Sequence, residues 1–171
     1  FLRSNQPENW VGKLMGFSET IRDAGYQAGA KVLQQGMTNR HDAGVRDQLK
    51  ERAVWQLKRL RLADDIPIAI EHAFYPPDIG LELEKRDLTS IIMYSVFEDE
   101  LGHAIKEARQ TIGASLADTT SAKLLDIRAG SPLLSMERLT LSKDERPLEL
   151  LRSVYLPDYF RLSINLTRRH A

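Results

Sequence analysis

The chain has 171 residues, of which 42% are hydrophobic and 28% charged, a composition that excludes disorder and fits one globular domain with a single sizeable core. Its 24 Lys and Arg balance its 24 Asp and Glu, so it lacks the basic footprint of a nucleic-acid-binding domain and by itself is expected to bind DNA poorly. With no cysteine it has no disulfide framework and no thiolate metal site, which suits a cytoplasmic protein, and neither a membrane-length apolar run nor a signal peptide is present.

The chain opens on Phe1-Leu2-Arg3 without an initiator Met, so we expect a piece of a longer protein with something preceding it. Phe1 to Trp10, with Asn5, Pro7 and Asn9, reads as an arm or linker end, and the domain proper as 11–171. Phe17, Ile21 and Ala24 have helical spacing, with Gly25 as the stop, so Phe17 to Ala24 is predicted as a short helix. Ala28 to Met37 is predicted as a strand and Ala43 to Leu49, through Val45 and Leu49, as a second helix.

A β-hairpin follows. Trp55, Leu57, Arg59 and Arg61 alternate with Gln56, Lys58, Leu60 and Leu62, which places both arginines on one strand face. Asp64-Asp65 supplies the turn, and Pro67 fits only near the start of the returning strand. A loop of about three residues sets Arg59 opposite Glu71 and clusters the three charges, whereas a loop of about two sets Arg59 opposite Ile70 and breaks the cluster. Two guanidiniums beside one carboxylate suit a small ligand, anionic at one end and a hydrogen-bond donor at the other. The competing reading is a surface ladder of cross-strand ion pairs.

Pro76-Pro77 ends the strand, and Asp78 to Arg86 reads as a loop. From Thr89 to Leu101 a helix is predicted, its stripe of Ile92, Met93, Val96, Phe97 and Leu101 facing the core, with Tyr94 at the edge nearest the pocket and Gly102 as the stop. Ile105 to Ser115 mixes polar and apolar residues as a strand with one wet face does. Asp118-Thr119-Thr120 is a helix start before Ala122, Leu124 and Leu125.

A second hairpin joins Leu133 to Leu141 with Leu148 to Tyr155 around Lys143-Asp144-Glu145-Arg146-Pro147. It echoes the first, Arg59 answering Arg138, which suggests an internal repeat of a helix-plus-hairpin unit. Glu149, Leu151, Ser153 and Tyr155 share a face by period two, so hairpins set back to back or side by side bring Glu149 and Tyr155 to a pocket begun by Arg59, Arg61 and Glu71. Pro157-Asp158-Tyr159-Phe160 breaks the strand, and Leu162, Ile164 and Leu166 read as a last one before Arg168-Arg169-His170.

Catalytic motifs are absent. His41, His72, His103 and His170 are scattered without metal-ligand spacing, and no Gly-rich phosphate loop, nucleophile elbow or carboxylate pair appears. Glu98, Asp99 and Glu100 are consecutive on a predicted helix and point apart. We expect binding groups without a catalyst, and neither metal nor cofactor.

The hairpin Arg59-Leu60-Arg61-Leu62-Ala63-Asp64-Asp65-Ile66-Pro67-Ile68-Ala69-Ile70-Glu71 resembles the signature of the UTRA domain, the effector-sensing half of HutC-type regulators in the GntR superfamily. Gly16-Phe17-Ser18-Glu19, Ala122 to Leu134 with Gly130-Ser131-Pro132-Leu133-Leu134, and Pro147-Leu148-Glu149 to Ser153-Val154-Tyr155 resemble that domain in the same order, so the likeness runs from about Val11 onward. The resemblance implies an α+β fold similar to chorismate lyase, an antiparallel sheet flanked by helices, and an upstream winged helix-turn-helix domain that binds the operator. In the branch that senses phosphorylated amino sugars, the arginines matching Arg59 and Arg61 hold the phosphate, and the residues matching Glu71, Glu149 and Tyr155 face the sugar. This chain has Gly16 and Ile92 where that branch has serines, with Ser18 and Ser90 as substitute donors beside Tyr94, which leaves a carboxylate or another anion open.

The resemblance thus implies a small-molecule sensor in a homodimeric transcription regulator, a repressor, with DNA bound through the upstream domain and no membrane partner. The alternative is a chorismate-lyase-like enzyme acting on a small aromatic or sugar acid, with Glu71 or Glu149 as acid or base.

Overall fold

Period-two alternation and paired turn signals build six strands, and helices cover both faces of the sheet they form. The computed structural model describes residues 16–160. The predicted arm from Phe1 to Trp10 and the predicted last strand through Leu162, Ile164 and Leu166 lie outside the described residues. In chain order the elements are α1 (Phe17–Asp23), β1 (Ala28–Thr38), α2 (Ala43–Leu49), β2 (Val54–Ala63), β3 (Ile66–Tyr75), α3 (Pro77–Leu83), α4 (Met93–Ser95) running into a π-helical turn (Val96–Glu100), β4 (Ile105–Leu116), α5 (Thr119–Leu125), β5 (Pro132–Ser142) and β6 (Pro147–Tyr155). The fold is α+β, one antiparallel sheet ordered β1-β2-β3-β6-β5-β4.

The two halves of that order repeat each other. Each runs strand, helix, hairpin, and they join where β3 lies against β6, from Ala69 opposite Tyr155 to Phe74 opposite Leu150. The inserted helices match in detail: Asp42 caps α2 by accepting from the Val45 N–H, Asp118 caps α5 by accepting from Ser121, and each helix ends on a left-handed residue, Lys50 and Asp126. Both pack on one face of the sheet. Val45 and Leu49 of α2 meet Val54, Phe74, Leu139, Leu141 and Leu150, while Ala122 and Leu125 of α5 meet Leu60, Leu62, Ile70 and Leu133. Alternation sends the other set, including Trp55, Leu57, Arg59, Arg61, Glu71, Tyr75, Glu149 and Tyr155, to the opposite face under α1, α3 and α4.

The hairpins reach their register by a route that a single loop length does not capture. Asp64 and Asp65 form a two-residue turn, both with positive φ, so Ala63 faces Ile66 and Leu62 faces Pro67. Ile68 is then an extra residue, a bulge that restores the pairing of Arg59 with Glu71. The second hairpin repeats the device, with Leu141 opposite Pro147 and Thr140 opposite Glu149, leaving Leu148 as the extra residue. The short loop and the charged cluster therefore coexist.

Two expectations are corrected. The stretch expected as a loop from Asp78 to Arg86 is helical as far as Leu83, forming α3 with Pro77: Pro77 presets the first turn, Asp78 sits there favourably, and Gly80 lets the helix lie against Trp55. The helix expected from Thr89 begins only at Met93, because the Asp87 carboxylate accepts from the Thr89 N–H and from the Thr89 and Ser90 hydroxyls, a local turn that competes with helix. Of the predicted stripe Val96 and Phe97 are buried, while Ile92, Met93 and Leu101 are partly so. Gly102, at φ +70°, ends the segment.

Candidate functional site

Arg59, Arg61, Glu71, Glu149 and Tyr155 come together because β2, β3 and β6 are neighbours and the bulges keep these side chains on one face. They line a cavity closed by α1, which contributes Phe17 and Ser18, and by α4, which contributes Tyr94. These groups are deeply buried, with Arg61 and Glu71 each 2% exposed, so the surface ion-pair ladder does not describe them.

Glu71 is the hub of the cationic end. Its Oε2 accepts from Arg59 Nη2 at 3.0 Å and lies 3.6 Å from Arg61 Nε, within ion-pair range but too long for a hydrogen bond. Arg59 Nη1 donates to the Leu88 carbonyl at 3.1 Å, and Arg61 Nη2 donates to Ser18 Oγ at 2.8 Å. The Arg61 guanidinium also lies 4.2 Å over the Phe17 ring, a cation–π contact. Burial pushes Arg61 down to about 10 against the support of Glu71, so it stays charged at neutral pH.

The polar floor lies beside it. Tyr75 donates to Glu149 Oε2 at 2.7 Å, and Ser153 donates to the Tyr155 oxygen at 3.0 Å. Burial raises the Glu149 carboxyl above its ordinary value, opposed by the Tyr75 hydrogen bond and assisted by the neighbouring Glu71 charge. Burial raises the Tyr155 phenol as well, so it is a neutral hydroxyl at working pH. The arrangement offers forked cationic donors for an anion at one end and mixed donors and acceptors for a hydroxylated or amino body at the other.

Ser90 is not part of this constellation. It is exposed, its hydroxyl is committed to Asp87 Oδ2 at 2.8 Å, and it does not line the cavity. The participants that sequence reasoning missed include Arg138 on β5, Phe17 under Arg61, Tyr75 as the donor to Glu149, and Phe160, whose ring stacks on Tyr155 at 4.1 Å. Arg138 carried a legible signal, since it is the counterpart of Arg59 in the repeat. Among the described residues no group of His, Asp or Glu is placed to hold a metal ion, and no helix is long and apolar enough to cross a membrane.

The α+β fold is shared with the solved effector domain of PhnF from Mycobacterium smegmatis, which superposes with a TM-score of 0.80, covering 90% of this chain and 96% of that one at 21% identity. Residues 23–161 match the UTRA domain, and the chain belongs to that family. It is 27% identical over 162 residues to the HTH-type transcriptional repressor NagR of Bacillus subtilis (strain 168), covering 94% of this chain and 66% of that protein. It is 30% identical over 114 residues to the HTH-type transcriptional regulator Rv0792c of Mycobacterium tuberculosis, covering 65% of this chain and 42% of that protein. The chain thus spans less than two thirds of the length of either relative. Both are transcription regulators, and neither supports the enzyme reading.

Proposed function

We propose that this chain is the effector-sensing domain of a HutC-type regulator of the GntR superfamily, acting as a repressor that its metabolite releases from the operator. Arg59 and Arg61 hold the anionic end of the effector, a phosphate or a carboxylate, while Glu71, Glu149 and Tyr155 read its polar body and Ser18 and Tyr94 add hydroxyls. The observation that carries the reading is the buried cationic pair leaning on a single carboxylate oxygen, Glu71 Oε2. Two guanidiniums on one anion leave charge and donors for a second anion, and burial strengthens that attraction.

Operator binding belongs to an upstream winged helix-turn-helix domain, and two chains are needed for a palindromic site. Effector binding shifts the population between dimer arrangements that do and do not match half-site spacing. Thermal-shift screening against sugar phosphates, sugar acids and amino-acid catabolites tests the reading, because a ligand specific to the folded state raises the melting temperature by mass action. A hit whose shift disappears in Arg59→Ala supports the site. A panel without hits, or a hit indifferent to Arg59, overturns it.

A further inference from the structure

The repeat places a third guanidinium in the cavity. Arg138 is 6% exposed, lines the same space as Arg59 and Arg61, and stands at the step of β5 that Arg59 occupies on β2. From β2 to β5 is three strand spacings, about 14 Å, and the two strands between them carry Glu71 and Glu149. The cavity therefore has cationic side chains rooted on both flanks and carboxyl groups at its middle.

Arg138 is also held in a definite orientation. Its Nε donates to Gln110 Oε1 at 2.7 Å, from the neighbouring β4, which fixes the plane of the fork. Its Nη1 donates to the Tyr94 oxygen at 2.9 Å. A phenol whose oxygen accepts from a guanidinium has its own proton to offer, and Tyr94 lines the cavity. Cation and hydroxyl together form a donor pair of the kind that recognises carboxylate or phosphate oxygens.

We propose that Arg138 is a specificity-determining residue: with Tyr94 it forms a second anion-recognising pole, so the cavity selects compact hydroxylated metabolites that carry an anionic group at each end over those charged at one end only. This inference rests on the effector-sensing reading above. The two poles divide the work. Arg59 and Arg61 take one anion, Arg138 and Tyr94 take the other, and the central carboxyl groups meet the hydroxyls between them.

Glucose 6-phosphate and 6-phosphogluconate serve as probes, since they share a six-carbon chain and a phosphate and differ at C1, where only the second carries a carboxylate. Isothermal titration of the whole chain at fixed ionic strength gives their affinities for wild type, Arg138→Gln, Arg138→Lys and Arg59→Ala. The two-ended probe is expected to bind wild type about tenfold tighter or more, the scale of one charge-assisted contact. Arg138→Gln should erase that preference by weakening 6-phosphogluconate more than glucose 6-phosphate, and Arg138→Lys should restore part of it. Equal affinities of wild type for the two probes, which needs no variant to fold, overturn the proposal, as does a preference that survives Arg138→Gln. If a probe binds without two-ended preference and Arg59→Ala abolishes its binding, this inference fails and the effector-sensing site stands. If wild type binds neither probe, the two-ended class is wrong, and the broader screen decides the sensing role separately.

Discussion

Tyr75 and Glu149 meet across the seam between the two halves of the sheet, the phenol donating to Glu149 Oε2 at 2.7 Å in a buried setting. β3 and β6 come from different repeats, so this contact exists only when the halves pair. Because burial raises the Glu149 carboxyl above its ordinary 4.5, the folded state holds that proton more tightly than the unfolded chain. Its stabilising contribution is complete below the ordinary value and is lost as pH rises through the folded one. Glu149→Gln, which keeps the shape without the titration, should lose less stability than wild type as pH rises above the ordinary carboxylate range. Melting curves of both proteins across that window check it, and parallel curves would show that Glu149 titrates normally.

Arg59 makes its hydrogen bonds to Glu71 and to the Leu88 carbonyl from inside the cavity. Arg59→Lys keeps the charge and loses the fork, so affinity for a screened effector should fall appreciably. Arg59→Ala should cost more, on the order of 2 to 5 kcal/mol. Titration of wild type and both variants decides, and equal affinities would remove Arg59 from the site.

Gly80 is where α3 touches Trp55: an added Cβ would lie 2.0 Å from the Trp55 Cβ and 2.3 Å from its Cγ. Alanine normally favours a helix over glycine by about 1 kcal/mol. Here overpacking should win, and Gly80→Ala should destabilise by roughly 1 to 3 kcal/mol or more. A urea midpoint equal to or above that of wild type would contradict the close approach.

Phe97 is fully buried and meets Tyr75 edge-on and Tyr94 obliquely, both at 6.3 Å between ring centres. Phe97→Ala should cost roughly 3 to 5 kcal/mol and loosen the segment that carries Tyr94. An unchanged melting temperature would show that this turn does not anchor the cavity wall.

Self-association should accompany the sensing role. Reading a palindromic operator requires two-fold symmetry, and among the described residues the sheet ends in two long edge strands, β1 and β4, of 11 and 12 residues. Long edges invite pairing or cover. Sedimentation should show two chains, and a strict monomer at tens of micromolar would count against a dimer built by this domain.

The local chemistry of this chain was legible from residue types alone. Alternation put Arg59 and Arg61 on one face, Asp118 marked a helix start, and the echo between the hairpins announced the repeat, because period, turn and cap preferences act over a few residues. What tertiary structure decided was every relation that depends on a distant partner. Register in the first hairpin came from a bulge at Ile68, and a bulge follows from packing the whole strand. Ser90 was claimed by Asp87 before it reached the cavity, residues 77–83 gained a helix by seating Gly80 on Trp55, and Arg138 entered the site because β5 lies one strand beyond β6. The physical reason is that strand order is set by burying both faces of the sheet at once, a condition on the whole chain that no short window of sequence contains.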